Sequence, residues 1–120
     1  MVTTMEQLLI HLFADYWLQN DYMALNKKDN FFIAMLHAFI YTIPFILLTR
    51  SLLALFTIFI THAIIDGTHI VEKLNQIKNW NFSTNTGYGA DRPLWISVWL
   101  IIIQDNILHL IINYLSIKYL

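Results

Sequence analysis

Residues 51–66 read SLLALFTIFITHAIID, and the fold turns on how this stretch is interpreted. It runs almost unbroken in apolar side chains and then sets His62 and Asp66 four residues apart. On a helix that offset puts both on one face, about one turn from each other. Lipid or a dry core makes each of them costly, so they need partners from elsewhere in the chain. The same offset recurs at His11 and Asp15, and in reverse order at Asp105 and His109. Three helices, each offering an imidazole and a carboxylate one turn apart, predict a convergent site.

Composition says what surrounds that site. The chain of 120 residues is of single-domain size, with 58% hydrophobic and 12% charged residues. The charged share is roughly half that of an ordinary globular protein, too small to coat a water-facing surface. Apolar residues arrive in blocks, which points to a bilayer as solvent. A net charge of -1 without a basic cluster excludes nucleic acid as a partner. Cysteine is absent, so disulfides and thiolate ligands are excluded. Residues Met1 to Gln7 lack a basic run and no small-residue cleavage site follows, so the first apolar segment is expected to belong to the mature protein.

Outward from residues 51–66, the blocks predict an all-α integral membrane bundle of four transmembrane helices in a single domain, 1–120. Their ranges are about 5–25, 31–49, 51–72 and 94–115, most of them near the roughly 20 residues a spanning helix needs. The first carries Gln7, His11, Asp15 and Gln19 at four-residue intervals, a polar stripe. It is expected either to span with the stripe inward or to lie flat on the surface. The second holds His37, with Pro44 expected to kink it. In the third, Gly67 after Asp66 is expected to let a neighbouring helix approach. Residues 73–93 form a polar, Asn-rich loop in which Trp80, Phe82 and Tyr88 suit the headgroup level. Pro93 suits the start of the fourth helix. Lys27, Lys28, Lys73, Lys78 and Arg92 fall on one side, and Arg50 and Lys118 on the other. That asymmetry puts turn 26–30 and loop 73–93 in the cytoplasm.

With a rise of about 1.5 Å per residue, Gln19, His37 and Asp66 lie about 9 Å from the cytoplasmic side, Asp15 and His62 about 15 Å, and Asp105 about 18 Å. His11 and His109 lie at about 20 to 24 Å. All four helices thus feed one continuous polar band. Buried imidazoles and carboxylates must be paired, protonated or metal-bound. Neutral imidazole and carboxylate suit zinc, manganese, iron or nickel, and i, i+4 pairs can chelate from one helix. The expected metal ligands are His11, Asp15, His37, His62, Asp66, Asp105 and His109, with Gln19 supporting them. A lone membrane histidine such as His37 more often bonds between helices, and His69 near a helix end suits the interface. Any single His–Asp pair is equally well a neutralising hydrogen bond. Three pairs together favour a metal or proton-active site.

The ordered set His11-x-x-x-Asp15-Tyr16-x-Leu18-Gln19, Met23-Ala24, Lys27 or Lys28, His37, His62-x-x-x-Asp66 and Asp105-x-x-x-His109-Leu110 resembles a family of small phage and bacterial membrane proteins of unknown function. Asp91-Arg92-Pro93-x-Trp95 is similar to its phage branch, whereas Asn106 stands where glutamine is expected in many relatives. The resemblance covers nearly the whole chain and implies a polytopic membrane protein, with a bacterial inner membrane as its setting. A more distant similarity runs to membrane-bound metal-dependent hydrolases.

The expected function is that of an integral membrane protein with an intramembrane His/Asp site for a divalent metal, zinc first. As a hydrolase it would act on a lipid or lipid-linked phosphate or ester, with Asp15, Asp66 and Asp105 as the catalytic carboxylates and water activated at the metal. The rivals are a proton or ion pathway, and a phage-type effector that binds a host membrane protein through structural His–Asp pairs. Membrane lipids are the expected partners, with a homo-oligomer or a host membrane protein as further candidates.

Overall fold

The computed structural model describes residues 4–120; residues 1–3, the start of the stretch expected to belong to the mature protein, lie outside it. Among the described residues all regular structure is helical. Helix α1 (Thr4–Leu12) widens into a π turn over Phe13–Trp17, and α2 (Asp21–Asn26) follows after a break. Helix α3 (Phe31–Thr42) tightens into a 3-10 turn over Ile43–Leu47. Then come α4 (Leu52–Gly67), α5 (Ile70–Lys78) and, after a π turn at Trp95–Trp99, α6 (Leu100–Tyr119).

Short polar side chains set several of the starts. The Asn20 side chain accepts from the Met23 amide and caps α2, Asn30 accepts from Phe32 and caps α3, and Ser51 accepts from Ala54 and caps α4. Each satisfies a backbone donor that has no partner within its helix. Pro44 cannot donate within a helix, and there the winding changes to 3-10.

Two expected helices are interrupted. The segment expected over 5–25 breaks at residues 18–20, where Asn20 leaves helical geometry to cap α2. The segment expected over 51–72 breaks after Gly67, where Thr68 is extended, and α5 leaves at 65° to α4. Among the described residues one helix, Trp95–Tyr119, is long and apolar enough to cross a membrane, and α4 with α5 reaches that length only as a bent pair. The apolar helix Phe31–Leu47 is shorter.

Helices α3 and α4 pack most closely, through small side chains: Ala34, Ala38, Ala54 and Ala63 are all buried. Several of their large side chains, Phe32, Phe39, Leu52 and Phe56, point outward. A compact apolar core of Ala14, Tyr41, Phe45 and Ile58 sits toward the α3–α4 turn. Toward the other end the interior is polar.

Gly67 lies where α3 and α4 meet. A β-carbon there would stand 2.8 Å from the Phe31 ring and 3.0 Å from the Ala34 methyl, closer than side chains tolerate. Gly67→Ala is therefore expected to cost about 1–3 kcal/mol by forcing the pair apart. A thermal melt of the purified protein checks this; an unchanged midpoint would refute the close approach.

Candidate functional site

The polar interior is built on Asp66, buried on α4. Its Oδ1 accepts from His109 Nε2 at 2.9 Å. Its Oδ2 accepts from Lys27 Nζ at 2.6 Å, with His37 Nε2 at 3.3 Å and His62 Nε2 at 3.2 Å. Lys27 reaches it from the turn between α2 and α3. Burial opposes a charge on Lys27, but Asp66 and Asp15 outweigh it and hold the ammonium above the ordinary lysine range. A buried carboxylate facing this many donors is the arrangement that avoids the cost of an unpaired buried charge.

Asp15, in the π turn, closes the cluster from the other side. Its Oδ1 stands 3.1 Å from His37 Nε2 and 3.7 Å from His62 Nε2, and the two imidazole Nε2 atoms are 3.0 Å apart. Asp15, His37, His62 and Asp66 thus turn one donor atom each toward a common centre, and the four can hold a metal ion. A tetrahedral zinc with bonds of about 2.0–2.1 Å needs its ligand atoms about 3.3–3.4 Å apart. Five of the six separations among these atoms, from 3.0 to 3.7 Å, bracket that value. One imidazole N–H can serve one acceptor, so three facing groups around His37 Nε2 suit a shared cation better than hydrogen bonds alone. The Nδ1 atoms of His37 and His62 are buried and have no hydrogen-bond partner among the described residues. Histidine ligands usually have such a partner, so this feature does not favour a metal.

A second group shares a member with the first. Asp15, Asp105 and His109 can also hold a metal ion, with His109 Nε2 at 3.3 Å from Asp105 Oδ2. Asp105 is the most exposed of these ligands, its side chain 23% accessible, and it lines a cavity of about 310 Å³. Asp15, Asp66, Tyr16, Gln19, Lys27, Lys28 and Glu72 contribute the rest of its polar lining, against Ala24, Ile101 and Ile102.

His11 departs from the expected ligand set. Asn113 Nδ2 donates to the Tyr41 hydroxyl at 2.6 Å, and that hydroxyl meets His11 Nδ1 at 2.6 Å. With Tyr41 donating, the His11 proton lies on Nε2, which donates to Asn106 Oδ1 at 2.6 Å. Asn106 donates in turn to the Ile102 carbonyl at 2.7 Å and to Tyr16. Both His11 nitrogens are engaged, and its nearest approach to Asp15 is 4.0 Å. The π turn changes the angle between these two residues that α-helical spacing implied. The remaining expected ligands converge. Gln19 lines the cavity, with its Oε1 buried and unpartnered among the described residues. His69 is exposed at the start of α5, 3.8 Å from Glu72, apart from the cluster.

Residues 3–119 match the family described as "Protein of unknown function (DUF3307)". The chain belongs to that family. No curated protein and no solved structure matches it. The family description names no activity, so the chemistry rests on the side chains.

Tyr41, Asn106, Asn113 and Lys27 were not among the expected site residues. Tyr41 also stacks on the His62 ring, with centroids 3.6 Å apart and planes at 15°. Tyr41→Phe keeps the stacked ring and removes the hydroxyl between His11 and Asn113. It is expected to cost about 1–3 kcal/mol by leaving buried polar atoms unpaired. A denaturation curve beside the parent checks this; equal stability would show that the hydroxyl is dispensable.

Proposed function

We propose that this DUF3307 protein is an integral membrane protein that holds a divalent metal, zinc first, in its interior and hydrolyses a phosphate or ester bond of a lipid or lipid-linked substrate. The spacing of Asp15 Oδ1, His37 Nε2, His62 Nε2 and Asp66 Oδ2 carries the metal reading. Zinc fits two imidazoles and two carboxylates, which also accommodate manganese, iron or nickel.

The distribution of side chains supports the membrane reading. His11, His37, His62, Asp66 and His109 are buried, whereas Trp17, Leu47, Leu52, Trp80 and Leu94 lie outside with more than three quarters of their surface accessible. An apolar exterior around a polar interior suits lipid as the surrounding solvent. Four crossings remain the proposal: α6 supplies one, and α4 a second, with α5 turned by 65° toward the membrane plane. The shorter α1 and α3 segments cross in a locally thinned bilayer. The basic residues favour turn 26–30 and loop 73–93 on the cytoplasmic side, and the setting proposed is a bacterial inner membrane.

Hydrolysis is supported by the opening of the second donor group to the cavity at Asp105. A bound divalent ion would supply a Lewis acid and acidify coordinated water. Asp105, reachable from the cavity, is the carboxylate suited to take a proton from an incoming water, while Asp15 and Asp66 orient the histidines. A second reading, a proton pathway, draws on Lys27: it already neutralises Asp66 and links the cluster to the turn. On that reading the His/Asp band relays charge and needs no metal.

Elemental analysis by mass spectrometry of detergent-purified protein separates the two. We expect about one or two metal ions per chain, since two donor groups share Asp15. Metal should be lost in His62→Ala and in Asp66→Asn, with hydrolysis abolished in folded His62→Ala. A folded, metal-free parent would reject the hydrolase reading, and pH-driven flux in liposomes would then support the pathway.

A further inference from the structure

The cavity beside the donor groups carries more information than its opening. Among the described residues, its wall holds four carboxylates, those of Asp15, Asp66, Asp105 and Glu72, and two ammonium groups, those of Lys27 and Lys28. Counted over these lining side chains alone, apart from the histidines that stand behind Asp66 and Asp105, the wall has an excess of two negative charges without a metal, which disfavours anions. One divalent ion removes the excess, and two, one in each donor group, reverse its sign. The sign of the charge the cavity attracts therefore depends on metal loading.

The lysines give that charge a direction. Lys27 now donates to Asp66 Oδ2 at 2.6 Å, and Lys28 donates to the Thr68 carbonyl at 3.0 Å. A cation on Asp66 would take over the neutralisation Lys27 provides and release its Nζ toward the cavity. Both lysines and both donor groups would then face one volume of about 310 Å³, large enough for a phosphate group and the first atoms of what it is esterified to. Ile101 and Ile102 form an apolar wall suited to the organic part of such an ester.

We propose that this cavity is a phosphate-monoester site that forms only in the metal-loaded protein, with Lys27 and Lys28 holding the anion. This rests on the metal reading above and adds the substrate class and the residues that select it. A dianion matches the excess of two positive charges left by two metals, whereas a neutral ester does not. The phosphate can come from a lipid headgroup or from a soluble phosphoester.

The test is isothermal titration of the full chain in detergent, zinc-loaded or stripped with a chelator. The probes are inorganic phosphate, glycerol phosphate and micelles doped with phosphatidic acid. Zinc-loaded protein should bind phosphate, and stripped protein should bind it at least about tenfold more weakly. Lys28→Gln should weaken binding about tenfold with zinc per chain unchanged; Lys27→Gln should weaken it likewise, and Lys27→Arg should restore it. Lys28 is the safer variant because its side chain is 32% accessible, against 16% for Lys27. Tighter binding of phosphatidic acid assigns a lipid source, and tighter binding of glycerol phosphate a soluble one; either supports the site. Zinc-loaded protein that ignores all three probes overturns this proposal alone. So does equal binding by stripped protein, or by a folded Lys28→Gln variant. A chain that takes up no zinc overturns the metal reading, and this proposal with it.

Discussion

A carboxylate buried on an apolar helix must be compensated, and much of this structure is the compensation of Asp66. Its two oxygens are met from the α2–α3 turn by Lys27, from α3 by His37, from its own helix by His62 and from α6 by His109. The first segment joins through Asp15, which touches the same histidines. These are directional, charge-assisted contacts with narrow tolerances, so they restrict how the helices can be arranged. Buried alanines on α3 and α4 keep that packing close, and across it His37 and His62 stand 3.0 Å apart.

The same histidines and carboxylates that neutralise one another also form the donor set for a cation. A lysine serves one function and stands at the edge of the other. Whether the cluster is an ionic network or a metal centre depends on which positive charge Asp66 faces, Lys27 or a divalent ion.

Much of this was legible in the sequence because charge in an apolar run is conspicuous and its four-residue spacing has one simple geometric meaning. Asp15, His62, Asp66, Asp105 and His109 come together as that spacing implied, and His37, which has no such partner in sequence, joins them. Tyr41 and Asn113 follow His37 and His109 by the same four residues and were passed over, since a hydroxyl or an amide costs less to bury than a charge. Lys27 was read for its side of the membrane and, with Lys28, as part of the family pattern, but not as a partner for Asp66, because a lysine at the end of an apolar segment ordinarily extends outward to water. Its long stem instead reaches back to Asp66. The π turn at Phe13–Trp17 is invisible to an argument that assumes 3.6 residues per turn, which is why His11 was expected among the ligands. The bend at Thr68 carries no proline to announce it.

The order of the contacts along the chain has a consequence for synthesis. Lys27 precedes Asp66 by 39 residues, and His109 follows it by 43. A ribosome releases the chain from its N-terminus, so Asp66 emerges with its lysine already made and its α6 histidine still to come. The early partner is the one that can neutralise the nascent carboxylate while α3 and α4 pair. The final partner arrives with the last helix, so a chain cut short before α6 would retain the ion pair and lack the second donor group. The second donor group is therefore complete only once α6 has been made.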